Sequence, residues 1–85
     1  MNIKVIGLTG ARTQQAIINA QAALREFKPY AEVEWIDDVR KINELRIARL
    51  PAVLINDRLK VDGRIPSIHE ITSLIGKELT QKSVA

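Results

Sequence analysis

The side chains in this chain that could do chemistry are few, and their spacing rules out most of what they could do. None of the 85 residues is cysteine, so there is no thiolate nucleophile, no disulfide and no thiolate metal ligand. His69 is the single histidine. One imidazole assembles neither a histidine-based metal site nor a triad, and a place in the first turn of a helix makes it a surface residue. Asp37 and Asp38 are adjacent carboxylates, but neighbours on a helix point apart. Capping a helix start accounts for them better than paired acid–base work. Gly7-Leu8-Thr9-Gly10 leads toward a helix as a phosphate loop does, yet it has neither G-x-G-x-x-G spacing nor a Gly-Lys-Ser/Thr ending. No metal and no cofactor is expected.

The composition narrows the class further. Eighty-five residues make one domain, expected over residues 1–79, with residues 80–85 as a flexible polar tail. Without disulfide or metal, stability must come from burial, and the 46% hydrophobic content is mostly aliphatic. The opening Met1-Asn2-Ile3-Lys4-Val5-Ile6 lacks the basic segment and apolar run of a secretory signal. No stretch approaches the roughly 18 apolar residues of a membrane span. A cytoplasmic protein with no membrane partner is the expectation. The net charge of +3 is mild, acids and bases are interleaved, and no aromatic platform accompanies the bases. Nucleic acid is therefore disfavoured as a partner.

Hydrophobic periodicity sets out the elements that must position these groups. Ile3 to Ile6 is dense in β-branched residues and reads as a strand ended by glycines. From Ala11 to Lys28 the apolar positions Ile17, Ala20, Leu24 and Phe27 recur at helical intervals, until Pro29 stops the run. Ala31 to Ile36 alternates, with Ala31, Val33 and Trp35 facing the core and Glu32 and Glu34 facing water. A second helix follows the two aspartates, with Val39, Ile42 and Leu45, joined by Ile47, as its inner side and Pro51 as its limit. Ala52-Val53-Leu54-Ile55 is apolar on both faces, as a central strand is. Asn56-Asp57 predicts a tight hairpin into Arg58–Asp62. Ser67 and Glu70 have capping-box spacing before a last helix carrying Ile68, Ile71, Leu74 and Ile75. The order is β-α-β-α-β-β-α: a four-stranded mixed sheet ordered 2-1-3-4 with helices on both faces, since a parallel crossover must be right-handed and the second and fourth strands read as edges.

This order resembles the small thioredoxin-like or glutaredoxin-like proteins of bacteria and archaea, also called redox-active disulfide proteins. The carriers are Ile3-Lys4-Val5-Ile6-Gly7, the run Pro51-Ala52-Val53-Leu54-Ile55-Asn56 and Gly63-Arg64-Ile65-Pro66-Ser67, over nearly the whole chain. The resemblance implies a thioredoxin fold and a cis Leu50–Pro51 bond beside the site. It also implies a Cys-x-x-Cys at the start of the first helix, and there the chain departs: the two positions hold Gly10 and Thr13. A thiol–disulfide oxidoreductase is excluded without cysteine. The expectation is a redox-inactive member.

In such a fold three loops converge at one end of the sheet, and each carries an arginine: Arg12, Arg49 and Arg64. The expected binding site is Gly10, Ala11, Arg12 and Thr13 with Arg49, Leu50, Pro51 and Arg64, accepting a protein or an acidic peptide. A non-redox enzyme, or a binder of an anionic, glutathione-like ligand, working through Thr13 or Arg12 is the rival reading. The outer face of the first helix, Gln14, Gln15, Ile18, Asn19 and Gln21, carries no charge and is a candidate surface for homodimerisation or partner docking.

Overall fold

The computed structural model describes residues 1–82. Its elements run β1 (Ile3–Ile6), α1 (Ala11–Phe27), β2 (Glu34–Ile36), α2 (Val39–Glu44), β3 (Ala52–Ile55), β4 (Arg58–Asp62) and α3 (Ile68–Lys82). One mixed sheet is ordered β2-β1-β3-β4, with β1 parallel to β2 and antiparallel to β3, and β4 closing the edge as a hairpin. The hairpin turn is the one its residues call for. Asn56 and Asp57 take φ values of 51° and 66°, the left-handed pair of a type I′ turn.

Side-chain alternation divides the core between the two faces of the sheet. Ile3, Val5, Val53, Ile55 and Val61 face α1 and α3, meeting Ala16, Ala20, Ala23, Leu24, Ile71 and Ile75. The three alanines form a low seam on α1 that lets the helix lie close to the strands, while each buried Ile or Leu contributes about 1.5–3 kcal/mol. Ile6, Ala52, Leu54 and Ile36 face the other way, against Ile42 of α2 with Ile47 and Leu50 at its border. At the far end of the molecule Glu78 of α3 is only 3% exposed and lies 3.1 Å from the Lys60 ammonium of β4.

Four expectations are corrected. The second strand is shorter than Ala31–Ile36, because residues 31–33 are held by a side chain. The Gln21 amide donates to the Ala31 carbonyl at 2.7 Å, and its oxygen accepts from the Val33 N–H at 2.9 Å. Trp35 is not the buried residue of that strand; Ile36 is, facing Ile6 and α2. The indole N–H needs a partner and finds one at the sheet edge, the Gly7 carbonyl, at 2.9 Å. The second helix stops at Glu44, well before Pro51, with Arg46 in left-handed backbone at φ 58°. Only Ile42 and Ile47 then reach the core, and Val39 and Leu45 stay exposed. The last helix continues to Lys82, so residues 80–82 of the expected tail are helical, and 83–85 lie outside the described residues.

Candidate functional site

The β1–α1 loop is fixed from three directions. Gly7 donates its N–H to the Ile36 carbonyl at 3.0 Å and accepts from the Trp35 indole, so both its backbone groups are tied to β2. Its missing side chain is a steric requirement. A Cβ at Gly7 would sit 2.5 Å from Thr13 Oγ1 and 3.0 Å from Thr13 Cγ2. Thr13 is 5% exposed, and its side chain is packed against the Gly7 backbone at the wall of the cleft.

Gly10 is the opposite case. It forms the N-cap of α1 with no side-chain cap, and a Cβ there would meet nothing within 4 Å. The helical ladder begins with Gln14 N–H to Gly10 carbonyl at 3.0 Å. The N–H groups of Ala11, Arg12 and Thr13 therefore have no intrahelical acceptor, and the positive end of the helix dipole stands open. Opposite it the chain passes through the Leu50–Pro51 step, whose peptide bond is cis. The Pro51 carbonyl accepts from Gly63 N–H at 3.0 Å, while among the described residues no hydrogen bond occupies the Leu50 N–H or carbonyl.

Between these walls lies a cleft of about 340 Å³ lined by residues 8–13 with Leu50 and Pro51. Six of the eight residues expected to bind are thereby brought together: Gly10, Ala11, Arg12, Thr13, Leu50 and Pro51. Leu8, 51% exposed, and Thr9 line it as well and had no signal of their own beyond lying between Gly7 and Gly10.

Arg49 and Arg64 stand outside the lining, and each arginine has an internal partner. Arg12 donates to the Gly63 carbonyl at 3.1 Å, fastening the start of α1 to the loop before α3. Arg49 lies 3.7 Å from Asp62. Arg64 makes a bidentate pair with Glu70, one arm at 2.7 Å. That pair holds the Glu70 carboxyl below the usual glutamate range, with burial opposing and the Ser67 contact adding, and raises the Arg64 guanidinium. It also halves the capping box. Ser67 Oγ accepts from Glu70 N–H at 3.0 Å, but the carboxylate is turned to the arginine. The three guanidinium groups thus brace the loops around the cleft more than they converge within it. Among the described residues no cluster of histidine, aspartate and glutamate is placed to hold a metal ion.

The outer face of α1 is divided in the same way. Gln21 is spent on residues 31–33, and Asn19 donates to the Pro66 carbonyl at 2.9 Å while accepting from Gln15. Gln14 and Ile18 remain exposed. Their partnered neighbours resemble them in sequence, so helical position alone could not separate the two kinds.

A helix N-terminus facing a cis-proline across an open cleft, on a sheet ordered 2-1-3-4, defines a thioredoxin-fold domain. Comparison with known proteins agrees. The family described as thioredoxin domain matches residues 1–76, and the chain belongs to it. It is 32% identical over 75 residues to a thioredoxin from Methanothermobacter thermautotrophicus, covering 88% of this chain and 97% of that relative. No solved structure matches the chain. Among the described residues no helix is long and apolar enough to cross a membrane.

Proposed function

We propose that this thioredoxin-domain protein is redox-inactive and works as a binding or adaptor module, holding an extended protein or peptide segment in the cleft between α1 and Pro51. The observation that carries the reading is an open cleft with its binding framework in place and no thiol in it. Leu50 offers a free N–H and carbonyl for strand-like pairing with a peptide. Leu8, Ala11 and Leu50 supply apolar contact, and the first N–H groups of α1 can receive a carbonyl or carboxylate. Thiol exchange needs a sulfur nucleophile, which this chain does not contain.

The test is selection from a random peptide library, followed by affinity measurement against two variants. Ala11→Arg fills the cleft mouth from an exposed position and is expected to weaken the selected peptides at least about tenfold. Arg64→Gln, outside the lining, is expected to leave them nearly unchanged. Equal binding by the Ala11→Arg protein would show that the cleft is not the site.

A further inference from the structure

Building on the cleft as a peptide site, we propose that it recognises the C-terminal end of its partner: the start of α1 and Thr13 hold a free terminal carboxylate, while Leu50 pairs with the residues before it. The N–H groups of Ala11, Arg12 and Thr13 precede the first helical bond, from Gln14 to Gly10, and have no backbone acceptor among the described residues. Gly10 provides no side-chain cap, and the first turn of α1 contains no acidic residue. Thr13 adds a further donor from the cleft wall. It is 5% exposed, yet its hydroxyl has no hydrogen-bond partner among the described residues. The side-chain polar atoms sealed away without a partner are Asn56 Nδ2 and Glu78 Oε1. The Thr13 hydroxyl is not one of them, so it keeps an opening, and its residue lines the cleft. A donor so nearly buried gains a bond when a ligand fills that space.

Three N–H groups and one hydroxyl suit an ionised carboxylate, which offers about four lone-pair sites where a peptide carbonyl offers about two. The lining contains no carboxylate of its own, and Arg12 is held at the cleft by its bond to the Gly63 carbonyl at 3.1 Å, so the field there favours an anion. Glutamate and aspartate side chains offer the same group from the middle of a chain. They fit less well, because the Leu50 N–H and carbonyl need peptide backbone against the same wall, within about 340 Å³, near the small end of ligand pockets. A terminal carboxylate is already part of that backbone, whereas a side-chain carboxylate brings extra rotors that must be fixed. Strand-like pairing and the capture of a chain end by backbone donors are both recurring modes of peptide recognition. Leu8, Ala11, Leu50 and Pro51 surround the donors, which makes the last residue of the partner apolar.

The experiment displays random short peptides by their N-termini, leaving the C-termini free, and selects them on the whole protein. Each selected peptide is remade as its C-terminal amide and, where it contains glutamate or aspartate, with glutamine or asparagine there instead. Sequences ending in an apolar residue are expected, with the amide binding at least about tenfold more weakly and the glutamine or asparagine form within about twofold. Thr13→Val should weaken the free-acid peptides at least about threefold and leave the amides unchanged, while Thr13→Ser should bind as the wild type does. Equal binding of acid and amide, affinity carried by side-chain carboxylates, or a Thr13→Val protein that weakens acid and amide alike would each overturn the proposal. The Ala11→Arg variant separates this from failure of the cleft itself. If acid and amide bind alike and Ala11→Arg weakens both, the cleft is the site and the chain end is not what it recognises. If Ala11→Arg changes neither, or no peptide is selected, both readings fall.

Discussion

Gly7 and Gly10 stand three residues apart at the start of α1, and their neighbourhoods assign them opposite roles. Gly7 is obliged to lack a side chain because Thr13 occupies the space where a Cβ would go. Gly7→Ala is expected to cost about 1–3 kcal/mol of stability through overpacking, and most of that loss should return in the double variant with Thr13→Ala. Urea unfolding of the four proteins in that cycle measures it; additive effects would mean the two residues do not touch. Arg64 and Glu70 give a prediction in pH. The carboxyl titrates lower in the folded protein than in the unfolded chain, so the pair stabilises above the usual glutamate range. That contribution is lost as pH falls through the folded value. Melting temperatures of the wild type and Arg64→Gln should differ at neutral pH and converge as pH falls below the range in which the folded carboxyl titrates. A gap that persists in acid would assign the stabilisation to packing.

Among the elements, β2 shows how a short strand can be completed by a helix. Only Glu34–Ile36 pair with β1, and the Gln21 side chain supplies the partner that residues 31–33 would otherwise take from a neighbouring strand. Both ends of one amide are used, and neither bond is fully exposed. Gln21→Ala is therefore expected to destabilise the protein by roughly 1–3 kcal/mol, and Gln14→Ala, at an exposed position, by much less. Hydrogen exchange should show the Val33 amide losing protection in Gln21→Ala alone. The interface reading of this helix face arose because glutamine is a good helix former with an uncharged surface, whether or not it has a partner. Asn19 and Gln21 look the same in sequence as Gln14, and distance in three dimensions separates them.

Taken whole, the molecule has two apolar clusters on opposite faces of a sheet whose central strands serve both. β1 contributes Ile3 and Val5 to one side and Ile6 to the other, so neither cluster can dissolve while the other stands. Ile75→Ala, in the α1–α3 layer, is expected to cost about 2–5 kcal/mol. Ile42→Ala, in the smaller α2 layer, should fall toward the lower end of that range because its site is nearer solvent. Both variants should unfold in one transition seen alike by circular dichroism and Trp35 fluorescence. A separate early transition in Ile42→Ala would make α2 an independent unit.

Composition and periodicity determined the element order, the sheet order, the Asn56–Asp57 hairpin and the lack of any thiol, while the resemblance to thioredoxin-like proteins placed Pro51 beside the site and the missing cysteines at positions 10 and 13. These follow from local rules: backbone angles that asparagine and proline favour, the 2.0 and 3.6 residue periods, and the presence or absence of an atom. Tertiary structure decided which polar side chains were already spoken for. Gln21 meets residues 31–33, Asn19 meets Pro66, Trp35 meets Gly7, and Arg12 meets Gly63. Each partner lies ten to fifty-one residues away in sequence, and a hydrogen bond depends on ångström-scale distance that no local pattern encodes. The same holds for the early end of α2, where Ile42 and Ile47 alone found core to cover, leaving two apolar side chains facing out.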